Sequence, residues 1–130
     1  MEVQIFGLKS SKESRAAERF FKERGIKTHS VDLHDRPMSA GELNRFIQKF
    51  GLNAILDIGG KAYIDGGLEF LRVSDEGMMT KIEAEPKLLK LPLVRYGKYV
   101  TVGLAESDWK TWILEEQSTD KTKVRKRSSS

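Results

Sequence analysis

The sequence predicts an α/β fold in which helices pack on a mixed four-stranded sheet. Three observations lead to this prediction: the chain begins with a strand, a helix and a second strand, its middle is helical, and it closes with a hairpin followed by one helix. The chain has 130 residues, of which 38% are hydrophobic and 32% are charged. This composition is typical of one globular domain with an ordinary core.

The first three elements predict a parallel pair of strands. Val3–Phe6 is rich in β-forming residues and ends at a glycine. A helix is expected from about Ser11 to Arg24, and Ser10 and Glu13 have the spacing of a capping box at its start. Lys27–Leu33 is the second strand. Because the connection is long, the two strands should be parallel and joined by a right-handed crossover.

The middle of the chain predicts two helices separated by a loop. Ser39 should cap a helix that ends near Phe50, and a further helix should begin at Ser74 and finish before Pro86. The stretch between them, from Leu52 to Gly67, is rich in glycine. We predict that it is a loop with short turns.

The C-terminal part predicts a hairpin and a closing helix. Leu91–Arg95 and Tyr99–Val102 flank a turn that contains Gly97. The last helix is expected from about Glu106 to Glu116. Together with the first elements, this order describes a thioredoxin-like βαβ…ββα sandwich with a helical insertion, in one domain over residues 1–117.

The net charge of +4 is located in the C-terminal tail. Residues 118–130 hold one aspartate and five cations, which are Lys121, Lys123, Arg125, Lys126 and Arg127. The other 117 residues carry 18 cations and 18 anions, so the domain itself is neutral. We expect the tail to be disordered and to contact nucleic acid only weakly, through attraction to phosphates that salt would screen.

The chain contains no cysteine. This excludes disulfides, iron–sulfur clusters and thiolate zinc sites, and it leaves no thiolate nucleophile. His29 and His34 are the only imidazoles, and His29 is expected to be buried on an apolar strand face, so no metal site is predicted. Neither a signal peptide nor an apolar run long enough to span a membrane is present, and we expect a cytoplasmic protein.

Several short motifs follow one another along the chain. After the first strand the sequence reads G-x-K-x-S-x-x-S-R-x-A, from Gly7 to Ala17. The later motifs are Gly25-Ile26 with Asp32, Glu42-Leu43 with Gly51, Pro86-Lys87-Leu88-Leu89-Lys90-Leu91-Pro92-Leu93-Val94, and Val102-Gly103. Over residues 1 to about 115 these motifs resemble those of the ArsC/Spx family, whose first turn carries C-x-x-C or C-x-x-S.

The resemblance implies a thioredoxin fold in which Pro92 is a cis-proline beside the redox turn. Ser11 would then occupy the position of the catalytic cysteine, and Ser14 the second position of the motif. Arsenate reductases of this family attack the oxyanion with the lead cysteine and stabilise the adduct with arginines. At two of those arginine positions this chain has Leu91 and Gly103. A serine hydroxyl is a far weaker nucleophile than a thiolate and would need an adjacent base, so arsenate reduction by the family mechanism is not expected.

Two interpretations of the serines at the helix start stay open. Serine is a preferred N-cap, because its oxygen accepts from a free backbone amide. Alternatively, free amides and the helix dipole form a vestigial anion site with the side chains around them. The residues assigned to this candidate site are Lys9, Ser10, Ser11, Ser14, Arg15 and Pro92.

Two functions from different classes follow from these observations. The first is a redox-inactive ArsC/Spx-like domain without a cofactor, which acts as a protein-interaction or regulatory module. Its partner would bind at the end of the sheet that carries the redox turn. The second is an arsenate reductase-related oxidoreductase that binds glutathione or an oxyanion weakly and relies on an external thiol.

Overall fold

The computed structural model describes residues 1–129 and the side chains of residues 1–117. Two 3-10 turns, Leu68–Phe70 and Pro86–Leu88, lie between its regular elements. In chain order these elements are β1 (Glu2–Gly7), α1 (Lys12–Glu23), β2 (Lys27–Asp32), α2 (Ala40–Phe50), α3 (Leu52–Ile55), α4 (Lys61–Asp65), α5 (Asp75–Ala84), β3 (Leu93–Tyr96), β4 (Tyr99–Val102) and α6 (Glu106–Ser129).

The four strands form one mixed sheet in the order β2-β1-β3-β4. β1 and β2 are parallel, as their long helical connection requires. β3 is antiparallel to both β1 and β4, with Val94 opposite Ile5 on one side and opposite Thr101 on the other. The α/β class, the mixed four-stranded sheet and the thioredoxin-like arrangement predicted from the sequence are confirmed.

One face of the sheet packs against α1 and α6. The residues that form this layer are Val3, Ile5, Ala17, Phe20, Phe21, Val94, Trp109 and Trp112. Trp109 is fully buried, and its ring centroid lies 5.1 Å from that of Phe21. Its indole Nε1 donates to the Thr101 Oγ1 at 2.9 Å, which satisfies a polar atom that would otherwise be stranded in the core.

The opposite face of the sheet packs against the helical insertion, which comprises residues 40–84, from α2 to α5. Strand residues Phe6, Leu93 and Val100 meet α2 and α5 here, together with Ile55 and Leu56 at the end of α3. Ser39 caps α2 as predicted, since its Oγ accepts from Glu42 N at 3.1 Å, and Ser74 proves to be the cap of α5, since its Oγ accepts from Gly77 N at 3.0 Å. The insertion is thereby fixed on the sheet.

Two local predictions are wrong. The stretch 52–67 is not a simple loop, because α3 and α4 form within it. α3 is held by burial, since Ile55 is fully buried and Leu56 forms an isolated bridge with Leu89. His29 is not buried: its side chain is 52% exposed and forms an ion pair with Glu2. β2 is an edge strand of the sheet, and this side chain stays accessible to solvent.

The predicted tail is described only in its backbone, which continues α6 to Ser129, beyond the helix end expected near Glu116. No side chain of residues 118–130 is described. The disorder of this segment and its weak contact with nucleic acid therefore stay predictions. Among the described residues, no helix combines the length and the apolar character that crossing a bilayer requires.

Substituting Thr101 with valine should lower the free energy of unfolding by about 1–3 kcal/mol, because the shape is kept while the buried Trp109 Nε1 loses its acceptor. Urea denaturation measures the loss. Thr28→Val in β2 is the matched control, since no hydrogen bond of the Thr28 hydroxyl occurs among the described side chains. Equal stability of the Thr101 variant and the wild type would contradict the assigned role of this bond.

Candidate functional site

The turn between β1 and α1 places Ser11 at the N-cap of the helix. Ser11 N donates to the Leu8 carbonyl at 2.9 Å, and its Oγ accepts from Ser14 N at 3.1 Å. The backbone of Ser11 has the extended conformation typical of an N-cap. Ser10 is exposed and lies one residue outside the cap, so the expected capping-box role of Ser10 with Glu13 is wrong.

Ser14 is part of the packing between β1 and α1. Its side chain is buried, and its Oγ accepts from the Leu8 N–H at 3.2 Å. A Cβ on Gly7 would lie only 2.3 Å from this oxygen, so strand and helix can approach this closely only with glycine at position 7. The hydroxyl at the second motif position therefore serves the fold.

Asp32 at the end of β2 holds the same turn from the other side. Its Oδ1 accepts from the His34 N–H at 2.9 Å, and its Oδ2 accepts from the Lys9 N–H at 3.4 Å. The His34 amide, with a smaller contribution from Lys9, lowers the pKa of Asp32 below its ordinary value of 3.8. The turn is thus tied to β2 as well as to α1.

The remaining residues of the predicted site also make contacts within the protein. Arg15 Nη1 donates to the Lys9 carbonyl at 2.8 Å. Pro92 is buried, and the Leu91–Pro92 peptide bond is cis, as the family resemblance implied. Its carbonyl accepts from Gly103 N at 2.9 Å, which joins the start of β3 to the end of β4.

An open cleft of about 810 Å³ lies at this end of the sheet, where β1 and β4 end and β3 begins. Of the six residues predicted for the site, Ser10 and Ser11 line it. The structure places Lys9, Ser14, Arg15 and Pro92 outside the lining. The other lining residues are Leu8, Lys12, Glu13, Asp57, Lys61, Ala62, Lys87, Leu89, Lys90, Leu91, Val102, Gly103 and Leu104.

Backbone hydrogen bonds bring two distant segments together at the cleft. Asp57 N donates to the Leu88 carbonyl at 2.8 Å, and Lys90 N donates to the Ile55 carbonyl at 2.8 Å. The insertion is thereby bound to the segment that precedes Pro92. As a result, side chains from residues 57–62 and 87–91 line the same cleft as the start of α1.

Four lysines line the cleft, and the sequence did not predict any of them as site residues. Lys61 forms an ion pair with Asp65 at 2.8 Å. Among the side chains that the structure describes, no carboxylate lies within 4.0 Å of the Nζ of Lys12, Lys87 or Lys90. The sequence offered a weak signal: Lys12 follows Ser11 directly, and Lys87 and Lys90 lie in the motif from Pro86 to Val94.

No base is hydrogen-bonded to the Ser11 hydroxyl among the described residues. Neither His29 nor His34 lines the cleft, and no hydrogen bond joins Glu13 or Asp57 to Ser11. Over the same residues there is no group of three or more potential metal ligands. The lysine side chains of the lining can attract anions.

A comparison with protein families agrees with the fold and the order of motifs. The model of the ArsC family matches residues 6–112. The chain belongs to the ArsC family. This member of the family contains no cysteine, and Ser11 is the N-cap of α1.

Solved structures resemble this ArsC family protein at low sequence identity. The protein YffB (PA3664) superposes with a TM-score of 0.75 at 15% identity, over 84% of this chain and 96% of its own. An arsenate reductase from Vibrio cholerae gives 0.69 at 22% identity, over 81% and 92%. An arsenate reductase (ArsC) related protein from Brucella melitensis gives 0.61 at 19% identity, over 87% and 95%. These similarities show a shared fold.

No curated protein matches the chain significantly. We therefore base the functional assignment on the cleft and its lining.

Ser11→Ala should lower the free energy of unfolding by about 0.5–2 kcal/mol, because Ser14 N loses its acceptor at the N-cap. Ser10→Ala is the matched control and should leave stability unchanged within about 0.5 kcal/mol, since Ser10 is exposed and caps nothing. Thermal and urea denaturation of both variants measure the difference. A larger loss in the Ser10 variant would show that the cap is assigned to the wrong serine.

Asp32→Asn should destabilise the protein at pH 7 and have less effect in acid. A carboxyl whose pKa is lowered on folding stabilises the native state above its unfolded pKa, and this contribution disappears as the pH falls through the lowered value, below 3.8. Urea denaturation of both proteins from pH 7 down to pH 3 measures the difference. Asp35→Asn, in the same loop, is the control. A stability difference that does not change with pH would contradict the prediction.

Proposed function

We propose that this ArsC family protein is a redox-inactive domain that acts as a protein-interaction or regulatory module. Its partner binds at the cleft between the start of α1, the insertion and the segment before Pro92. The observation that carries the proposal is that the chain has no thiol while the cleft stays open and lined by lysines.

The chemistry of position 11 supports a function without catalysis. The Ser11 oxygen accepts from a backbone amide, and no histidine lines the cleft to remove its proton. Ser14 is buried and accepts from the Leu8 amide. Both hydroxyls at the motif positions therefore have structural roles, and neither is placed to attack a substrate.

The shape of the site supports binding. A cleft of about 810 Å³ falls within the range of about 300–1,000 Å³ that is usual for ligand sites. Leu104 lines the cleft and is 49% exposed, so an apolar side chain is accessible to a bound partner. A cytoplasmic location, as expected from the sequence, is part of the proposal, and fractionation of native cells tests it.

A second candidate is an arsenate reductase-related oxidoreductase that binds glutathione or an oxyanion and relies on an external thiol. The lysines around the start of α1 favour it, because they attract anions. Calorimetry with glutathione, arsenate, phosphate and sulfate tests this candidate. Absence of heat at millimolar ligand would reject this candidate. Arsenate turnover by the wild type that is lost in Ser11→Ala would show that the protein is an enzyme and not an interaction module.

Filling the cleft with bulky side chains should abolish partner binding. Affinity capture from native cells compares the wild type with Ser10→Trp/Leu104→Trp, which fills the cleft without changing its charge. Ser107→Trp/Leu114→Trp on α6 is the matched control at exposed positions. We expect the same protein in the wild-type and control samples, and its loss from the cleft variant. Equal capture by all three proteins, or no specific capture, would reject the interaction module.

A further inference from the structure

The cleft carries a local excess of positive charge, although the domain as a whole is neutral. Residues 1–117 carry equal numbers of cations and anions. The cleft nevertheless has four lysines against two carboxylates, and one of these lysines already has a carboxylate partner in Asp65. Lys12, Lys87 and Lys90 come from two separate segments, α1 and the stretch before Pro92, yet they face the same space.

We propose that the occupant of the cleft is an acidic peptide segment with aliphatic side chains, supplied by the partner protein. The proposal rests on the interaction module described above and specifies the chemistry of its partner. The lysines would pair with glutamate or aspartate carboxylates of the segment. Leu91, Val102 and Leu104, which are the solvent-accessible leucines and valine of the lining, would contact its aliphatic side chains.

The size of the cleft favours a peptide over a single small anion. A volume of about 810 Å³ is that of a site for a ligand with many atoms, and a tetrahedral oxyanion would fill only a small part of it. Lys12 comes from the start of α1, whereas Lys87 and Lys90 come from the segment before Pro92, and no carboxylate among the described side chains lies within 4.0 Å of their Nζ atoms. Several separate negative charges on an extended ligand can meet them together.

The apolar part of the lining favours a peptide over a nucleic acid. It consists of Leu8, Ala62, Leu89, Leu91, Val102 and Leu104, all of them aliphatic. Single-stranded nucleic acids are usually bound by aromatic rings that stack on bases, and phosphates are often held by the forked guanidinium of arginine. The lining has neither an aromatic ring nor an arginine. Lysines beside aliphatic side chains match carboxylates beside leucine or valine.

Fluorescence anisotropy tests the proposal on the full chain. The probe is a fluorescein-labelled peptide of eight residues in which glutamate and leucine alternate. The cleft variant is Lys12→Gln/Lys87→Gln/Lys90→Gln. The matched control, Lys22→Gln/Lys27→Gln/Lys110→Gln, removes the same charge at exposed positions outside the cleft lining.

We expect the wild type and the control to bind the peptide with similar affinity, and the cleft variant to bind about tenfold more weakly. Affinity should fall as salt rises, because the exposed pairs are screened. A second peptide, in which serine replaces leucine, should bind more weakly than the first, because it lacks the aliphatic contacts. Amide shifts on adding the first peptide should be confined to residues 8–13, 55–62, 87–91 and 102–104.

Three results would overturn the proposal: no binding of the peptide, equal loss of affinity in both lysine variants, or tighter binding of an oligothymidylate than of the peptide. The capture experiment separates this inference from the proposed function. If capture depends on the cleft but the peptide does not bind, the partner chemistry is wrong and the module stands. If the peptide binds as expected but nothing is captured, the module is wrong and the cleft has another acidic ligand.

Discussion

The close approach of β1 and α1 at Gly7 and Ser14 is the contact on which the site depends. The Ser14 hydroxyl fills the space that a Cβ at position 7 would need, and it accepts from the Leu8 amide. This contact fixes where α1 starts relative to the sheet. Because α1 starts there, Ser11 becomes the N-cap, and Lys12 is directed into the cleft. The geometry of this turn is held by hydroxyls and backbone amides, and it needs no thiol.

The cleft is a product of long-range pairing as much as of the first turn. The bonds between residues 55–57 and 88–90 bring the insertion against the segment before Pro92, and lysines from both enter the same space. Catalysis in a thioredoxin-type site needs a thiolate at a helix start. Binding needs only the surrounding surface. A chain can therefore lack catalysis and keep binding, and this is the function that we propose for this ArsC family member.

The sequence predicted the elements whose signals are local. Alternation, caps and glycine stops placed β1, α1, β2, α2, α5 and the hairpin, and the motifs identified the cis-proline at position 92. α3 and α4 escaped prediction because helices of four and five residues are held by tertiary contacts and not by propensity. Ser10 and Ser11 have the same side chain, and only the backbone decides which one caps. The cleft lysines were not predicted as site residues because they come from three separated segments, which only the folded chain brings together.

The buried hydroxyl at position 14 determines where this fold can accept a thiol. Sulfur is a larger atom and a weaker acceptor than oxygen, so cysteine at position 14 would crowd Gly7 and leave the Leu8 amide poorly satisfied. The Ser11 side chain is half-exposed at the cleft, where a larger atom has solvent beside it. A thiol engineered into this protein should therefore be tolerated better at position 11 than at position 14.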